Sequence, residues 1–143
     1  MPMSRSIRAL VVCAAVLAAS AAQAQRSAVP IIDHPNVLAV TGSGKAVSQE
    51  ALRQAIISGG ASGVRKWSIV PAGDGKTLRG TYIVRVHTVV VDIVPGPGSY
   101  SLKYADSSNM KYAMEGGQPV IHPFYNDWVQ QLMRAIDAEV KKL

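Results

Sequence analysis

Cysteine is almost absent from this chain of 143 residues, since Cys13 is the only one. It lies in an apolar run near the N-terminus, which reads as part of a cleaved leader. The remaining chain then has neither a thiol nor a disulfide, which excludes cysteine nucleophiles and thiolate metal sites. We expect its stability to come from an ordinary hydrophobic core.

Long hydrophobic runs are also lacking. The longest, from Ala9 to Ala22, has about 14 residues, fewer than the roughly 20 that a spanning helix needs. A later apolar stretch is interrupted by Arg85, His87 and Asp92. The sequence therefore predicts no transmembrane segment.

The N-terminal run has the three parts of a secretory signal peptide. Arg5 and Arg8 form a basic head, the apolar run follows, and Ala22-Gln23-Ala24 provides small residues at the positions that signal peptidase reads. We predict a signal peptide over residues 1–24, cleaved after Ala24, and a periplasmic location. Cys13 lies inside the apolar run and not at its end, which does not fit a lipid anchor.

Acidic residues are fewer than basic ones. The chain has 9 Asp and Glu against 15 Lys and Arg, a net charge of +6, and the loss of Arg5 and Arg8 with the leader lowers it to +4. This mild positive charge favours encounter with anionic partners such as lipid head groups or cell-wall polymers. It is too small to indicate nucleic-acid binding.

The order of predicted elements gives the fold class. Residues 25–36 form an extended entry segment, because Pro30 and Pro35 disfavour helix before them. Residues 37–143 form one domain, which we predict to be α+β: an antiparallel sheet of three to four strands with two helices packed on one face. The predicted strands are Val37–Val40, Trp67–Val70, Leu78–Val94 and Tyr100–Tyr104, and the stretch from Asp106 to Pro119 is predicted to be a loop.

Caps and periodicity define the two predicted helices. Ser48 is a good N-cap for a helix from Gln49 to Ser58, with Gly59-Gly60 as its stop. A second helix starts near Pro123, and its apolar stripe faces the sheet. The stripe comprises Tyr125, Val129, Leu132, Ile136, Val140 and Leu143.

The stretch from Leu78 to Val94 is unusually long for one strand. Read as a single strand, it places Val89, Val91 and Ile93 together on the outer face of the sheet. Such an apolar patch has three explanations. In the first, a bend near Gly80 or His87, or coverage by the entry segment, takes these side chains off the surface. In the second, the patch is a homodimer interface. In the third, it lines a ligand groove.

Motifs for catalysis or metal binding are missing from the sequence. The three histidines, His34, His87 and His122, have no recognised ligand spacing, and His122 is placed to cap the second helix. The stretch from Gly42 to Lys45 lacks the first glycine and the hydroxyl residue of a phosphate-binding loop, and no serine has the frame of a nucleophile elbow. We therefore predict no cofactor and no catalytic residue.

Aromatic and hydrogen-bonding residues concentrate around the predicted loop and the start of the second helix. Rings beside amide and imidazole groups hold sugars or peptides, so this region is a candidate binding site. The alternative is that the rings only pack the loop onto the sheet. The candidate residues are Asn109, Tyr112, His122, Tyr125, Asn126 and Trp128.

Two stretches carry a resemblance to known proteins. They are Ser107-Ser108-Asn109-Met110-Lys111-Tyr112 and the run from Ile121 to Val129, which reads Ile-His-Pro-Phe-Tyr-Asn-Asp-Trp-Val. The chain resembles a group of small exported proteins and lipoproteins of Gram-negative bacteria with the pattern S-x-N-[LM]-x-Y followed by I-H-x-x-Y-N-x-W. The resemblance implies a periplasmic address and one domain, and it carries over no functional residue.

Two functional hypotheses follow. The first is a non-enzymatic binding or interaction module of the cell envelope, with an envelope protein or a glycan as partner. The second is a small hydrolase acting on an envelope polymer, with His87 and either Asp92 or His122 as acid and base. A histidine within hydrogen-bond reach of a carboxylate, inside a cleft, favours the hydrolase.

Overall fold

The computed structural model describes residues 27–143, so the predicted signal peptide lies outside the described residues. Two helices and two antiparallel sheets make up this part of the chain, which confirms the α+β class. In chain order the elements are β1 (Val29–Pro30), β2 (His34–Leu38), α1 (Gln49–Ser62), β3 (Ser68–Pro71), β4 (Leu78–Val84), β5 (His87–Pro95), β6 (Ser99–Ser108), β7 (Ala113–Glu115), β8 (Gln118–Ile121) and α2 (Phe124–Lys141).

The larger sheet has five strands in the order β2-β6-β5-β4-β3, and all neighbours are antiparallel. The strands from β3 to β6 form a meander, since consecutive strands lie side by side. The entry strand β2 then adds to the free edge of β6. The sheet is wider than the predicted three to four strands, partly because the long central stretch divides in two.

A tight turn at Arg85-Val86 divides that central stretch. Val84 pairs with His87, so only two residues connect β4 to β5. Arg85 has a φ of 55°, in the left-handed region that short hairpin turns use. The predicted single strand from Leu78 to Val94 is therefore wrong, because the chain reverses completely next to His87, one of the two places where a bend was considered.

Both helices pack on the same face of the larger sheet. Ile69 pairs with Gly80, so their side-chain positions share a face, and Tyr82, two residues further along β4, shares it too. Gly60 of α1 packs against Ile69, and the ring of Trp128 in α2 meets that of Tyr82 with centroids 5.1 Å apart. The predicted arrangement of the helices agrees with these contacts.

The expected outer patch of Val89, Val91 and Ile93 is wrong. All three side chains are fully buried, in one core with residues of both helices. The single-strand interpretation failed because the turn at Arg85-Val86 resets which face each later residue occupies. Their side chains therefore face the helices and do not form a patch on the outer face of the sheet.

The Gly59-Gly60 pair does not end the first helix, contrary to prediction. The helix continues to Ser62, and the backbone N–H of Gly63 closes it by donating to the Gly59 carbonyl. A Cβ atom at Gly59 would lie 2.8 Å from the Cα of Ile136 in α2. The glycines thus allow the two helices and the sheet to approach closely, a packing role that has no local signature.

The predicted loop from Asp106 to Pro119 is largely ordered into strands. Its first residues extend β6 to Ser108, and β7 and β8 form a short hairpin. The entry segment joins this hairpin, because β1 pairs with β8 to complete a three-stranded sheet. Residues 27–36 therefore contribute to both sheets.

No helix between residues 27 and 143 is both long and apolar enough to cross a membrane.

Candidate ligand-binding groove

Three tyrosines form a packed cluster beside the hairpin, which we call the tyrosine cluster: Tyr104, Tyr112 and Tyr125. Tyr104 and Tyr112 stack almost parallel with centroids 4.9 Å apart, and Tyr125 meets Tyr104 edge-on at 5.7 Å. Tyr125 is fully buried, and this burial, together with the nearby Asp33, raises the pKa of its hydroxyl. The cluster fills space between β6, the hairpin and α2, and of its three rings Tyr112 is the most exposed.

Asn126 ties the entry segment to the last helix. Its Nδ2 donates to the Pro30 carbonyl at 3.0 Å, and its Oδ1 accepts from the Ile32 N–H at 3.1 Å. The two bonds engage both polar atoms of the Asn126 side chain and hold the connection between β1 and β2 in place. Of the predicted binding residues, Asn126 is therefore occupied by the fold itself.

His122 caps α2, as its position before Pro123 suggested. Its Nδ1 accepts a hydrogen bond from the Phe124 N–H at 3.1 Å, and its carbonyl accepts from the Tyr125 N–H at 3.0 Å. Two backbone donors of the first helical turn are thereby satisfied.

Asn109 holds the β4–β5 turn in place. Its side-chain Nδ2 donates to the backbone carbonyl of Val86 at 2.7 Å, and the backbone carbonyl of Asn109 lies 2.7 Å from Nδ1 of His87. A carbonyl only accepts, so Nδ1 of His87 carries the proton and the tautomer is fixed. Asn109 therefore positions the imidazole of His87 and leaves its Nε2 as the nitrogen for any further interaction.

On the other side of α2, a groove of about 400 Å³ opens between the helix and the β4–β5 turn. We call it the Arg65 groove. It combines cationic, imidazole and aromatic side chains, and its volume lies in the lower part of the roughly 300–1,000 Å³ range of small-ligand sites. Its principal lining residues are Arg65, Arg85, His87, Phe124, Trp128 and Gln131.

Arg65 is fixed at the back of this groove. Its Nε donates to Oε1 of Gln131 at 2.7 Å, and its Nη1 donates to the Tyr82 hydroxyl at 2.9 Å. Its guanidinium lies 5.4 Å from the ring centroid of Trp128 and 5.7 Å from that of Tyr82, within cation–π range. The side chain is thus held in one geometry before any ligand arrives.

The aromatic wall of the groove continues into the core. Trp67 stacks on Tyr82 with centroids 5.3 Å apart, Tyr82 meets Trp128 edge-on, and Phe124 lies 5.8 Å from Trp128. Trp128 is buried, whereas Phe124 is 39% exposed. The outermost ring therefore presents apolar surface to the groove, and the inner rings give it a rigid support.

One of the predicted acid–base pairs, His87 with Asp92, is not brought together. His87 and Asp92 are five positions apart on β5, so they lie on opposite faces. Asp92 pairs instead with Arg79, whose Nε lies 3.0 Å from its carboxylate. Among residues 27–143 no three histidine, aspartate or glutamate side chains come together in a group that could hold a metal ion.

The six predicted site residues thus separate into different surroundings. Tyr112 and Tyr125 belong to the tyrosine cluster, Trp128 lines the Arg65 groove, and the other three make the structural hydrogen bonds described above. The sequence reasoning missed Arg65 and Arg85 as groove residues. The alternation Arg85-Val86-His87 looks like continuous strand, and only the excessive length of that strand signalled the turn that brings it to α2.

A second hollow, of about 270 Å³, lies between β2 and α2. Its walls are mainly apolar, with Val37, Tyr100 and Met133 among them. We favour the Arg65 groove as the candidate site because it brings fixed charge, an imidazole and an exposed ring together.

Comparison with known proteins gives no match: neither a family model, nor a curated sequence, nor a solved structure resembles the chain significantly. The resemblance to small exported proteins of Gram-negative bacteria therefore stays a prediction.

Proposed function

We propose that this protein is an exported, non-enzymatic binding module of the bacterial cell envelope, and that its ligand binds in the Arg65 groove. The observation that carries the proposal is the immobilised guanidinium of Arg65, held by Gln131 and Tyr82 against the Trp128 ring at the back of an open groove. Binding sites keep such groups in place in advance, because a ligand then loses less conformational entropy when it binds.

Two further features support binding over catalysis. His87 has one ring nitrogen engaged with the Asn109 carbonyl, and its predicted partner Asp92 lies on the opposite face of the strand. The groove therefore brings together recognition groups without the predicted pair of His87 and Asp92. The mild positive charge of the chain suits the anionic polymers of an envelope.

The experiment is a binding assay against envelope fractions. The ¹⁵N-labelled protein is mixed with soluble peptidoglycan fragments, polysaccharide and envelope protein extract in turn, and amide shifts are followed by NMR. We expect one fraction to shift the amides of Arg85, Val86 and His87. Shifts confined to other surfaces, or turnover of a fraction, would contradict the proposal.

Export is tested separately. We propose cleavage after Ala24 and release into the periplasm, so mass spectrometry of the protein from a periplasmic extract should give a chain that begins at Gln25. Recovery of the uncleaved chain from the cytoplasmic fraction would contradict this part of the proposal.

A further inference from the structure

We infer that the Arg65 groove recognises a carboxylate-bearing sugar unit; this inference rests on the proposed function and specifies its ligand class. Arg65 and Arg85 give the groove two permanent positive charges, and Asp127 at its rim gives one negative charge. The balance is positive before any contribution from His87, so the groove attracts an anionic group.

Arg65 is suited to bind that anionic group through its planar fork. A guanidinium has five N–H donors, and the bonds to Gln131 and Tyr82 engage Nε and one N–H of Nη1. Arginine binds planar carboxylates through two parallel hydrogen bonds, and the bonds to Gln131 and Tyr82 hold the Arg65 guanidinium 5.4 Å from the Trp128 ring centroid. The geometry thus favours a planar anion over a simple point charge.

Arg85 occupies a costly backbone conformation at the mouth of the groove. Its φ of 55° is unfavourable for a residue with a side chain, and glycine or asparagine usually occupies such a position. Residues in such conformations concentrate at ligand sites. Asn109 holds the turn from below through the Val86 carbonyl, so the position of Arg85 is defined by the fold.

The rest of the groove suits the body of a sugar. The exposed ring of Phe124 and the side chain of Val84 offer an apolar wall for the C–H face of a pyranose. Gln131 accepts from Arg65 through its side-chain oxygen, which leaves its amide N–H groups to donate to sugar oxygens. Asp127 supplies acceptors for sugar hydroxyl groups. A volume of about 400 Å³ holds such a unit without requiring an extended peptide.

The test uses glucuronate as the probe, with glucose as its uncharged counterpart and the dipeptide Gly-Glu as an acidic peptide. Amide shifts are titrated by NMR in the purified protein. We expect glucuronate to shift the amides of Arg85, Val86 and His87, and to bind about tenfold more tightly than glucose, because the carboxylate adds charge-assisted hydrogen bonds.

The variant Arg85→Gln should weaken glucuronate binding by about tenfold. Lys111→Gln is the matched control, because Lys111 is an exposed cation that also has a φ of 55° but lies outside the groove. It should leave the affinity within about twofold, since one distant surface charge is largely screened.

Three results would overturn the inference: equal binding of glucose and glucuronate, tighter binding of Gly-Glu, or equal effects of the two variants. If the uncharged sugar alone shifts the groove amides, the carboxylate assignment fails while the proposed function stands. If neither these probes nor any envelope fraction shifts the groove amides, the proposed function itself fails.

Discussion

The tyrosine cluster and the Arg65 groove lie on two sides of the same helix and use similar side chains differently. In the cluster, Tyr104, Tyr112 and Tyr125 contact one another and fill the space between strands and helix. In the groove, Phe124 and Trp128 also lie close together, with centroids 5.8 Å apart, but a fixed arginine lies against Trp128. Each side has one exposed ring, Tyr112 or Phe124, and only the groove places two arginines beside its rings.

This difference shows that local aromatic density in a sequence does not define a binding site. The tyrosines near α2 pack against one another, whereas the groove depends on charged residues from three distant segments, the α1–β3 connection, the β4–β5 turn and α2. A site of this kind needs cations held beside apolar side chains that are not buried in the core. The following predictions test whether the two regions have these separate roles.

The largest effect is expected in the tyrosine cluster. Tyr125→Ala should lower the free energy of unfolding by about 3–5 kcal/mol, because it removes a fully buried ring from the core. Tyr125→Phe is the control: within residues 27–143 the buried hydroxyl has no hydrogen-bond partner, so its loss should change stability by less than about 1 kcal/mol. Urea denaturation measures both. If Tyr125→Ala were as stable as wild type but lost ligand, the cluster would be the site.

Asn126→Ala should have the next largest effect. It removes two hydrogen bonds to the entry segment, which together contribute about 1–2 kcal/mol. Hydrogen exchange should show faster exchange at the Ile32 amide and little change at Arg85 and His87. Gln130→Ala, an exposed change on the same helix, serves as the control. Faster ligand dissociation or altered groove shifts in Asn126→Ala would place Asn126 in the site and remove the division between the two regions.

Arg85→Gly should raise stability while it weakens binding. Glycine relieves the positive φ, but it also increases the entropy of the unfolded chain, so the net gain is about 0.5–1 kcal/mol. Lys111→Gly, at the same φ, should give a similar gain with unchanged glucuronate affinity. Thermal unfolding measures the stability of each variant, and the NMR titration measures its affinity for glucuronate. A loss of stability in Arg85→Gly alone would show that Arg85 serves the fold and not the groove.

The smallest effect concerns Asp74, which lies in the β3–β4 connection, outside both regions. Hydrogen bonds from the side chain and the backbone of Thr77 lower the pKa of its carboxyl from 3.8 to about 2. A lowered folded-state pKa means that the stabilisation is complete above the unfolded value and is lost as the pH falls from about 4 to about 2. Acid unfolding should show a weaker pH dependence in Asp74→Asn over this interval. Identical profiles would mean that the turn does not persist in solution.

Much of the fold could be predicted from periodicity and caps. Ser48 caps the first helix by accepting from the Ala51 N–H, and the α2 stripe from Tyr125 to Val140 is buried as its spacing indicated. Leu143, the last residue assigned to that stripe, is 58% exposed because the helix ends at Lys141. Such signals come from residues that are close together in the chain, so they can be recognised in a single sequence.

The errors arose where distant packing decides the structure. Glycine at position 59 reads as a helix stop, yet contact with Ile136 in α2 makes it a helix interior residue. The turn at Arg85-Val86 has no glycine or asparagine to announce it, and the whole assignment of faces beyond it depends on that turn. The groove was missed for the same reason, because Arg65 and Arg85 meet α2 only after the turn and both helices are in place.

The pairing of β1 with β8 has a consequence for how the molecule is made. Asn126 bonds to residues 94 and 96 positions earlier, and β1 meets its partner strand over a similar separation. A chain that emerges N-terminus first from a ribosome or a translocation pore cannot close this sheet until β8 has emerged, just before the final helix. Contacts so far apart in sequence also slow folding. Strand β1 must therefore wait without its partner, available to chaperones, until residues 118–121 arrive.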